Sequence, residues 1–358
     1  MEEPWYKQLI NIRKMIVNKF NGIKVIGVSC AVPTEWKSIN SLKDGENDSL
    51  LDRFVKNTTI EGHYEVSERQ TSSDLCFVAA QRIIEEKKVN REKIAVLIHV
   101  TQTPDYRCPS TACVLQNRLG LSNDCLAFDV NLGCSGYPYG LNIAASLMTT
   151  SNAEYALVLA GDASTKHNVR TDNSRMLFGD SGTATLLMKD IAAPEMAIAS
   201  KTDGSGLAYM WQPYGLSRHH ILKDEGIHNE IETFNFAINE APALINQFLE
   251  NRHETADDYD FLVLHQANMM IMKQIAKRTG FPKIKMLASL DHFSNTSNGS
   301  IPTTIVHCLM KDEHKKCKLL ICGYGIGLSW AVGSIVIDTK DILPLLHSDE
   351  YFDDGLYE

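Results

Sequence analysis

The stretch Asn131-Leu-Gly-Cys-Ser-Gly136 decides how this chain is read. It follows the apolar run Cys125-Leu-Ala-Phe-Asp-Val130 and precedes an amphipathic segment over 137–149. A strand, a tight glycine-flanked turn and a helix would put Cys134 at a helix N-terminus. There the positive end of the macrodipole favours the thiolate, the form that attacks carbonyl carbon. Gly133, Ser135 and Gly136 are small enough for a substrate to approach both the sulfur and the backbone N–H groups beside it. The pattern is a nucleophile elbow with a thiol in place of the hydrolase hydroxyl.

Working outward, apolar β-rich runs alternate with helical patterns almost throughout. Runs at 24–31, 94–101, 126–130, 155–160 and 183–188 predict one set of strands, and runs at 196–200, 261–264, 319–322 and 331–337 a second. Helical periodicity covers 74–87, 111–118, 137–149, 230–251, 268–279 and 303–311. Such alternation predicts an α/β protein with largely buried sheets. The elements are equally dense on either side of residue 190, which suggests two related halves over 23–190 and 191–340. A helical extension is expected over 1–22, and an acidic, solvated tail at the end of 341–358.

Composition removes several functions. The chain of 358 residues carries a net charge of −9 and no block of Lys and Arg, which argues against nucleic acid as its main partner. No apolar run reaches the roughly 18 residues of a membrane span. The first 20 residues lack the apolar core of a secretory leader. Nine cysteines, odd in number and mostly inside apolar runs, suit buried thiols in a reducing cytoplasm better than a disulfide framework. The close pairs Cys108/Cys113 and Cys317/Cys322 have no finger-type partners downstream, so a zinc site is not expected.

Three further motifs bear on Cys134. Phe261-Leu-Val-Leu-His-Gln-Ala-Asn268 is an apolar strand running straight into His265, where an imidazole would be held rigidly. Ser294-Asn-Thr-Ser-Asn-Gly-Ser-Ile-Pro302 reads by itself as a polar turn capping a helix. Gly323-Tyr-Gly-Ile-Gly-Leu-Ser-Trp330 is a glycine turn between two apolar strands.

In this order the motifs resemble the β-ketoacyl-acyl-carrier-protein synthase III family of the thiolase superfamily. The resemblance runs from Ile23 to about Asp338, and takes in 101–113 and Leu177-Phe-Gly-Asp-Ser-Gly182 as well. It implies a thiolase-like, duplicated five-layer αβαβα fold, with the nucleophile in the first half. It also implies a Cys134–His265–Asn295 triad, with the backbone N–H groups of Cys134 and Ile326 facing the oxyanion. The implied chemistry is transfer of an acyl group from a thioester to Cys134, then decarboxylative condensation with a malonyl-carrier. Relatives of this architecture that pass the acyl group to a hydroxyl or amine are the alternative. Acyl carrier protein and a second copy of the chain are the implied partners. No cofactor is implied beyond the thioester substrates.

Several positions depart from the family. Where coenzyme A users carry Trp and Arg four residues apart, this chain has Arg53 and Asn57, which makes carrier-delivered acyl groups more plausible. Cys108 stands where a large aromatic closes the acyl pocket, so longer or bulkier acyl groups are expected to fit. Tyr324 replaces a Phe beside the decarboxylating group, and Asn268 is expected to orient its neighbours. An Arg used for carrier docking is Met270 here, leaving Lys273, Lys277 and Arg278 as the candidate docking cations.

Overall fold

Two six-stranded mixed sheets organise the chain, seen in a computed structural model that describes residues 15–167, 176–213, 217–220, 227–310 and 315–356. The first-half sheet is built from Ile23–Val32, Ile94–Val100, Leu126–Val130, Tyr155–Asp162 and Ser181–Lys189. The second-half sheet uses Met196–Thr202, Phe261–Leu264, Met286–Leu287, Lys316–Gly325 and Ser329–Asp338. Within each half, counting strands in chain order, the sheet runs first, fifth, fourth, second, third. The first two pairings across each sheet are antiparallel and the last two parallel. The identical order establishes the duplication that internal sequence similarity is too weak to prove.

Each end of the chain then adds an edge strand to the other half. Asn18–Phe20 pairs antiparallel with Met196–Ile198, and Leu346–His347 pairs parallel with Ala31–Val32. These segments bear on two expectations. Residues 1–14 of the expected helical extension lie outside the described residues, and residues 18–20 are a strand. The acidic tail is largely exposed, as its composition suggests, and is also tied down by specific contacts. Gln70 Nε2 donates to the carbonyls of Ser348 (2.8 Å) and Glu350 (2.9 Å), and the Phe352 N–H donates to Asp74 Oδ1 at 2.9 Å. Arg69 stacks over Tyr351 and Arg118 over Phe352, so cations of the first half fix the aromatic residues of the tail.

The helices complete five layers. Ser72–Glu86 and Thr111–Arg118 cover the outer face of the first sheet, and Glu230–Arg252 covers that of the second, with Met269–Arg278 packed beside it. Between the sheets lie Gly136–Thr150 and Ser300–Leu309, each touching strands of both. Apolar side chains from both sheets and both inner helices form one central core, among them Val100, Tyr137, Leu141, Val158, Ile301, Ile305 and Ile321. Close approach is built into the inner helix at Gly140. A Cβ there would meet Val100 Cγ2 at 2.8 Å and Val158 Cγ1 at 2.9 Å, distances that packed carbon atoms do not adopt. The expected α/β class and αβαβα layering are what the structure has.

Candidate active site

Each inner helix is entered by a loop that follows the third strand of its half, and these two loops face one another. The first runs from Val130 to the start of the Gly136–Thr150 helix and carries Cys134. The second precedes the Ser300–Leu309 helix and carries Asn295. A third contributor, His265, directly follows the buried strand Phe261–Leu264.

Cys134 packs under the glycine turn of the second half. A Cβ on Gly325 would stand 2.7 Å from Cys134 Cβ and 3.2 Å from Sγ, and one on Gly323 would stand 2.7 Å from the Cys134 carbonyl oxygen. Only glycine allows this strand to lie on the nucleophile. A hydroxyl chain reinforces the contact: Ser135 and Ser329 are 2.6 Å apart, and Ser329 Oγ donates to the Ile326 carbonyl at 2.8 Å. Burial, then the nearby Asp162 carboxylate, push the Cys134 thiol up to about 12. The sequence expectation was a thiolate stabilised by the helix N-terminus. In the resting site, desolvation and a like charge outweigh that dipole, which is worth about 0.3–1 kcal/mol.

His265 is 2 % exposed. Its N–H donates to the Cys322 carbonyl at 2.8 Å, and Nδ1 lies 3.1 Å from Ser300 Oγ. Burial pushes its pKa down to about 3, so the ring is neutral at physiological pH. The Tyr324 ring meets the imidazole edge-on at 5.5 Å, and its hydroxyl donates to the His265 carbonyl at 3.3 Å.

Asn295 is fixed through its backbone. Its N–H donates to the Leu177 carbonyl (3.0 Å), and its own carbonyl accepts from Gly179 N–H (3.1 Å). The side-chain Oδ1 accepts from the Ser297 N–H at 2.9 Å. With that oxygen engaged, the amide NH2 is the group left to donate to a ligand.

The sequence-derived residues therefore divide. Cys134, His265, Tyr324 and the Gly325–Ile326 turn come together, with Asn295 joined to them through Ser297 and Ser300. Asn268 instead caps the Met269–Arg278 helix, its Oδ1 accepting from Met270 N–H at 2.7 Å; the groups that hold His265 are Ser300 and the Cys322 carbonyl. Arg53 and Asn57 share one exposed face of Asp48–Thr58, a helix whose pattern the sequence reading passed over. Cys108 is exposed. Lys273, Lys277 and Arg278 are all exposed, and Arg278 also donates to Asn239 Oδ1 at 2.8 Å.

Sequence reasoning missed Asp162, Ser297, Asn298 and Ser300. A signal was present for the first. Asp162 ends the apolar run Tyr155-Ala-Leu-Val-Leu-Ala-Gly-Asp162 as His265 ends its own strand, and a polar group at such a strand end is placed for chemistry.

Residues 128–204 match the family described as 3-oxoacyl-[acyl-carrier-protein (ACP)] synthase III, and residues 249–337 match its C-terminal domain. The chain is 32 % identical to the β-ketoacyl-[acyl-carrier-protein] synthase III of Clostridium perfringens, covering 87 % of this chain and 98 % of the relative. The chain belongs to the β-ketoacyl-[acyl-carrier-protein] synthase III family. The synthase III of Xanthomonas campestris is 30 % identical, over 78 % of this chain and 88 % of that protein. Among solved structures, a 3-oxoacyl-(acyl-carrier protein) synthase from Burkholderia xenovorans superposes with a TM-score of 0.88 at 28 % identity, covering 94 % of this chain and 99 % of that one. Among the described residues of this synthase III family member, no helix is long and apolar enough to cross a membrane.

Proposed function

We propose that this protein is a condensing enzyme that loads an acyl group on Cys134 and joins it to a malonyl-carrier thioester with loss of CO2. What supports this is family membership together with a thiol under the second-half glycine turn, a neutral buried imidazole beside Tyr324, and an asparagine amide linked to that imidazole through Ser297 and Ser300.

In the first step Cys134 sulfur attacks the thioester carbonyl and expels the carrier thiol, which takes the proton. The tetrahedral oxyanion accepts from the N–H groups of Cys134 and Ile326. In the second step malonyl-carrier loses CO2, and the electron pair left behind forms an enolate on the thioester oxygen. Asn295 Nδ2–H and His265 Nε2–H donate to that oxygen. Neutral donors suit the task, because a charged imidazolium would protonate the carbanion. The carbanion then attacks the acyl carbonyl on Cys134 and expels the Cys134 thiolate, which takes a proton from water to regenerate the thiol.

Ser300 bears on this assignment. Its hydroxyl donates to the Ser297 carbonyl at 2.6 Å while lying 3.1 Å from His265 Nδ1. Turned to Nδ1, the hydroxyl leaves the ring proton on Nε2, as condensation requires. Left on Ser297, it favours a lone pair at Nε2, which suits general-base transfer of the acyl group to a hydroxyl or amine. Family membership favours condensation, and acyl transfer is the second reading.

The acyl donor in this proposal is a carrier thioester, and Lys273 and Lys277 meet the acidic carrier. The working unit is a homodimer. Among the described residues Leu126–Val130 pairs on one side only, with Ile94–Val100, and Leu126 is 49 % exposed, so this sheet edge is open to a second copy. The setting is the cytoplasm, in keeping with nine free cysteines, and Cys108 leaves room for acyl groups larger than acetyl.

The test is intact-protein mass spectrometry with acyl donors of increasing length, radiolabelled malonyl-carrier and Cys134→Ala as control. The expected result is an adduct on Cys134, CO2 release and a β-ketoacyl-carrier product. An adduct that never consumes malonyl-carrier would transfer the assignment to the hydroxyl- or amine-acylating reading.

A further inference from the structure

Asp162 is 1 % exposed at the end of Tyr155–Asp162 and has no part in the steps above. Its Oδ1 accepts from Gln102 N–H (2.7 Å), Thr101 Oγ1 (2.9 Å), Thr103 N–H (3.2 Å) and Thr103 Oγ1 (3.3 Å). Its Oδ2 accepts from Asn298 Nδ2 at 2.7 Å. The same Asn298 Nδ2 also reaches the Leu132 carbonyl at 3.4 Å, and the Ser297 hydroxyl interacts with both the Asp162 carboxylate and the Cys134 thiol. All of these donors are neutral. A buried carboxylate met only by neutral donors costs more than an amide of the same shape would.

Three segments meet at this one side chain. The 101–103 loop backs Gly133, where any Cβ would collide with Gln102 Oε1. Asn298 belongs to the loop that carries Asn295, in the second half. Leu132 opens the turn that carries Cys134.

We propose that Asp162 is a positioning residue that registers the two halves at the site, tying the Cys134 turn and its supporting loop to the Asn295 loop through Asn298 and Ser297. Its charge then has a second effect. The Ser297 hydroxyl joins its carboxylate to the Cys134 thiol, and a negative charge one hydrogen-bonded group away disfavours the thiolate, so the resting enzyme keeps Cys134 as a thiol that is slow to react with stray electrophiles. Burial raises the pKa of Asp162 itself, while its hydrogen bonds and His99 pull the other way.

The inference rests on the proposed role of Cys134, and its test separates the two. Asp162→Asn keeps the shape and removes the charge. The rate of Cys134 alkylation by iodoacetamide is measured against pH, with the modified cysteine located by peptide mapping. The midpoint should move down by about one pH unit, raising the rate near pH 8 about tenfold. Turnover with acyl and malonyl thioesters should fall at least tenfold in kcat with little change in KM. Asn298→Ala keeps the charge but cuts the tie, so it should lower kcat and leave the alkylation midpoint in place. An unchanged alkylation profile in Asp162→Asn overturns the inference, as does an unchanged kcat in Asn298→Ala. If Asp162→Asn does not melt cooperatively, Asn298→Ala alone decides. Absence of any acyl adduct on wild-type Cys134 would overturn the proposed function instead and leave the alkylation comparison standing.

Discussion

The two loops that enter the inner helices occupy equivalent places in the duplicated fold and are stabilised by opposite means. The Cys134 turn is fixed by side chains that are missing: Gly133 and Gly136 within it, Gly323 and Gly325 across from it. The Asn295 loop is fixed by hydrogen bonds, from Ser297 N–H to Asn295 Oδ1, from Asn295 N–H to Leu177, and from Asn298 to Asp162. It also holds Ser294 and Ser297 at φ of 56° and 51°, where residues with a Cβ are uncommon. A nucleophile needs open space on the substrate side and a rigid floor beneath it, which glycine packing provides. A donor needs an aimed amide, which a bonded loop provides. Substitutions should therefore damage the two loops in different ways.

The largest separation is expected at Asn295. Asn295→Ala removes one of the two donors proposed for the enolate, and the hydrogen bonds of Asn295 run to Leu177, Gly179 and Ser297, none of them in the Cys134 turn. Condensation should fall about 10²–10³-fold, the usual loss for one oxyanion donor, while acyl loading of Cys134, followed by mass spectrometry, stays within about threefold of wild type. Equal loss of both steps would break the division of labour between the loops. The converse change is Gly325→Ala, which forces a methyl to within 2.7 Å of Cys134 Cβ. Displacing the nucleophile by a fraction of an ångström should slow acyl loading itself by about 100-fold. Loading at the wild-type rate would mean that the floor under Cys134 is not rigid.

A pH profile sharpens the comparison next, because His265, the third contributor beside the two loops, is kept neutral by burial. The folded pKa of His265, about 3, lies below the ordinary value of about 6.5. A depressed histidine contributes stability above pH 6.5 and loses it as pH falls towards 3. Condensation from preformed acyl-enzyme should accordingly show no acid limb between pH 8 and pH 5 from this residue. A tenfold decline centred near 6.5 would mean that His265 is not desolvated during turnover. Between pH 6.5 and 3, wild type should lose stability more steeply than His265→Gln.

How much of this was legible in the sequence follows from where each signal resides. Strands such as Ile94–Val100, Tyr155–Asp162 and Phe261–Leu264 are buried on both faces, so they appear as near-continuous apolar runs. His265 directly follows such a run and stands out for that reason, whereas Cys134 stands out by the glycine-flanked turn after Leu126–Val130. Met286–Leu287, Asn18–Phe20 and Leu346–His347 are two or three residues long. They exist only because a distant strand offers an edge, and no local periodicity announces them. Asn295 was identified by resemblance alone. Asp162 and Ser297 acquire their roles when two halves more than 100 residues apart meet, and Ser300 when its helix packs beside the strand before His265; a pattern read along one stretch of chain contains neither. The contacts of the tail were hidden for a related reason. Its acidic composition suggests solvent, whereas its aromatic residues find Arg69 and Arg118 only in the fold.

The smallest predicted effect tests whether the Asn295 loop carries strain. Ser294 has φ 56° and ψ −155°, a region that is essentially the preserve of glycine. Its hydroxyl donates to the Gly62 carbonyl at 3.1 Å, a buried bond worth about 1 kcal/mol. Both Ser294→Ala and Ser294→Gly lose that bond, but only alanine retains the Cβ that makes the conformation costly. Relief of strain should exceed the extra chain entropy of glycine, so Ser294→Gly should be the more stable of the two by about 1 kcal/mol. In thermal melts of a chain this long that is a difference of roughly 1–2 °C. If alanine equals or exceeds glycine, the loop is relaxed. Its hydrogen bonds would then be positioning Asn295 without opposing any backbone strain, and the contrast with the glycine-packed Cys134 turn would reduce to one of donors alone.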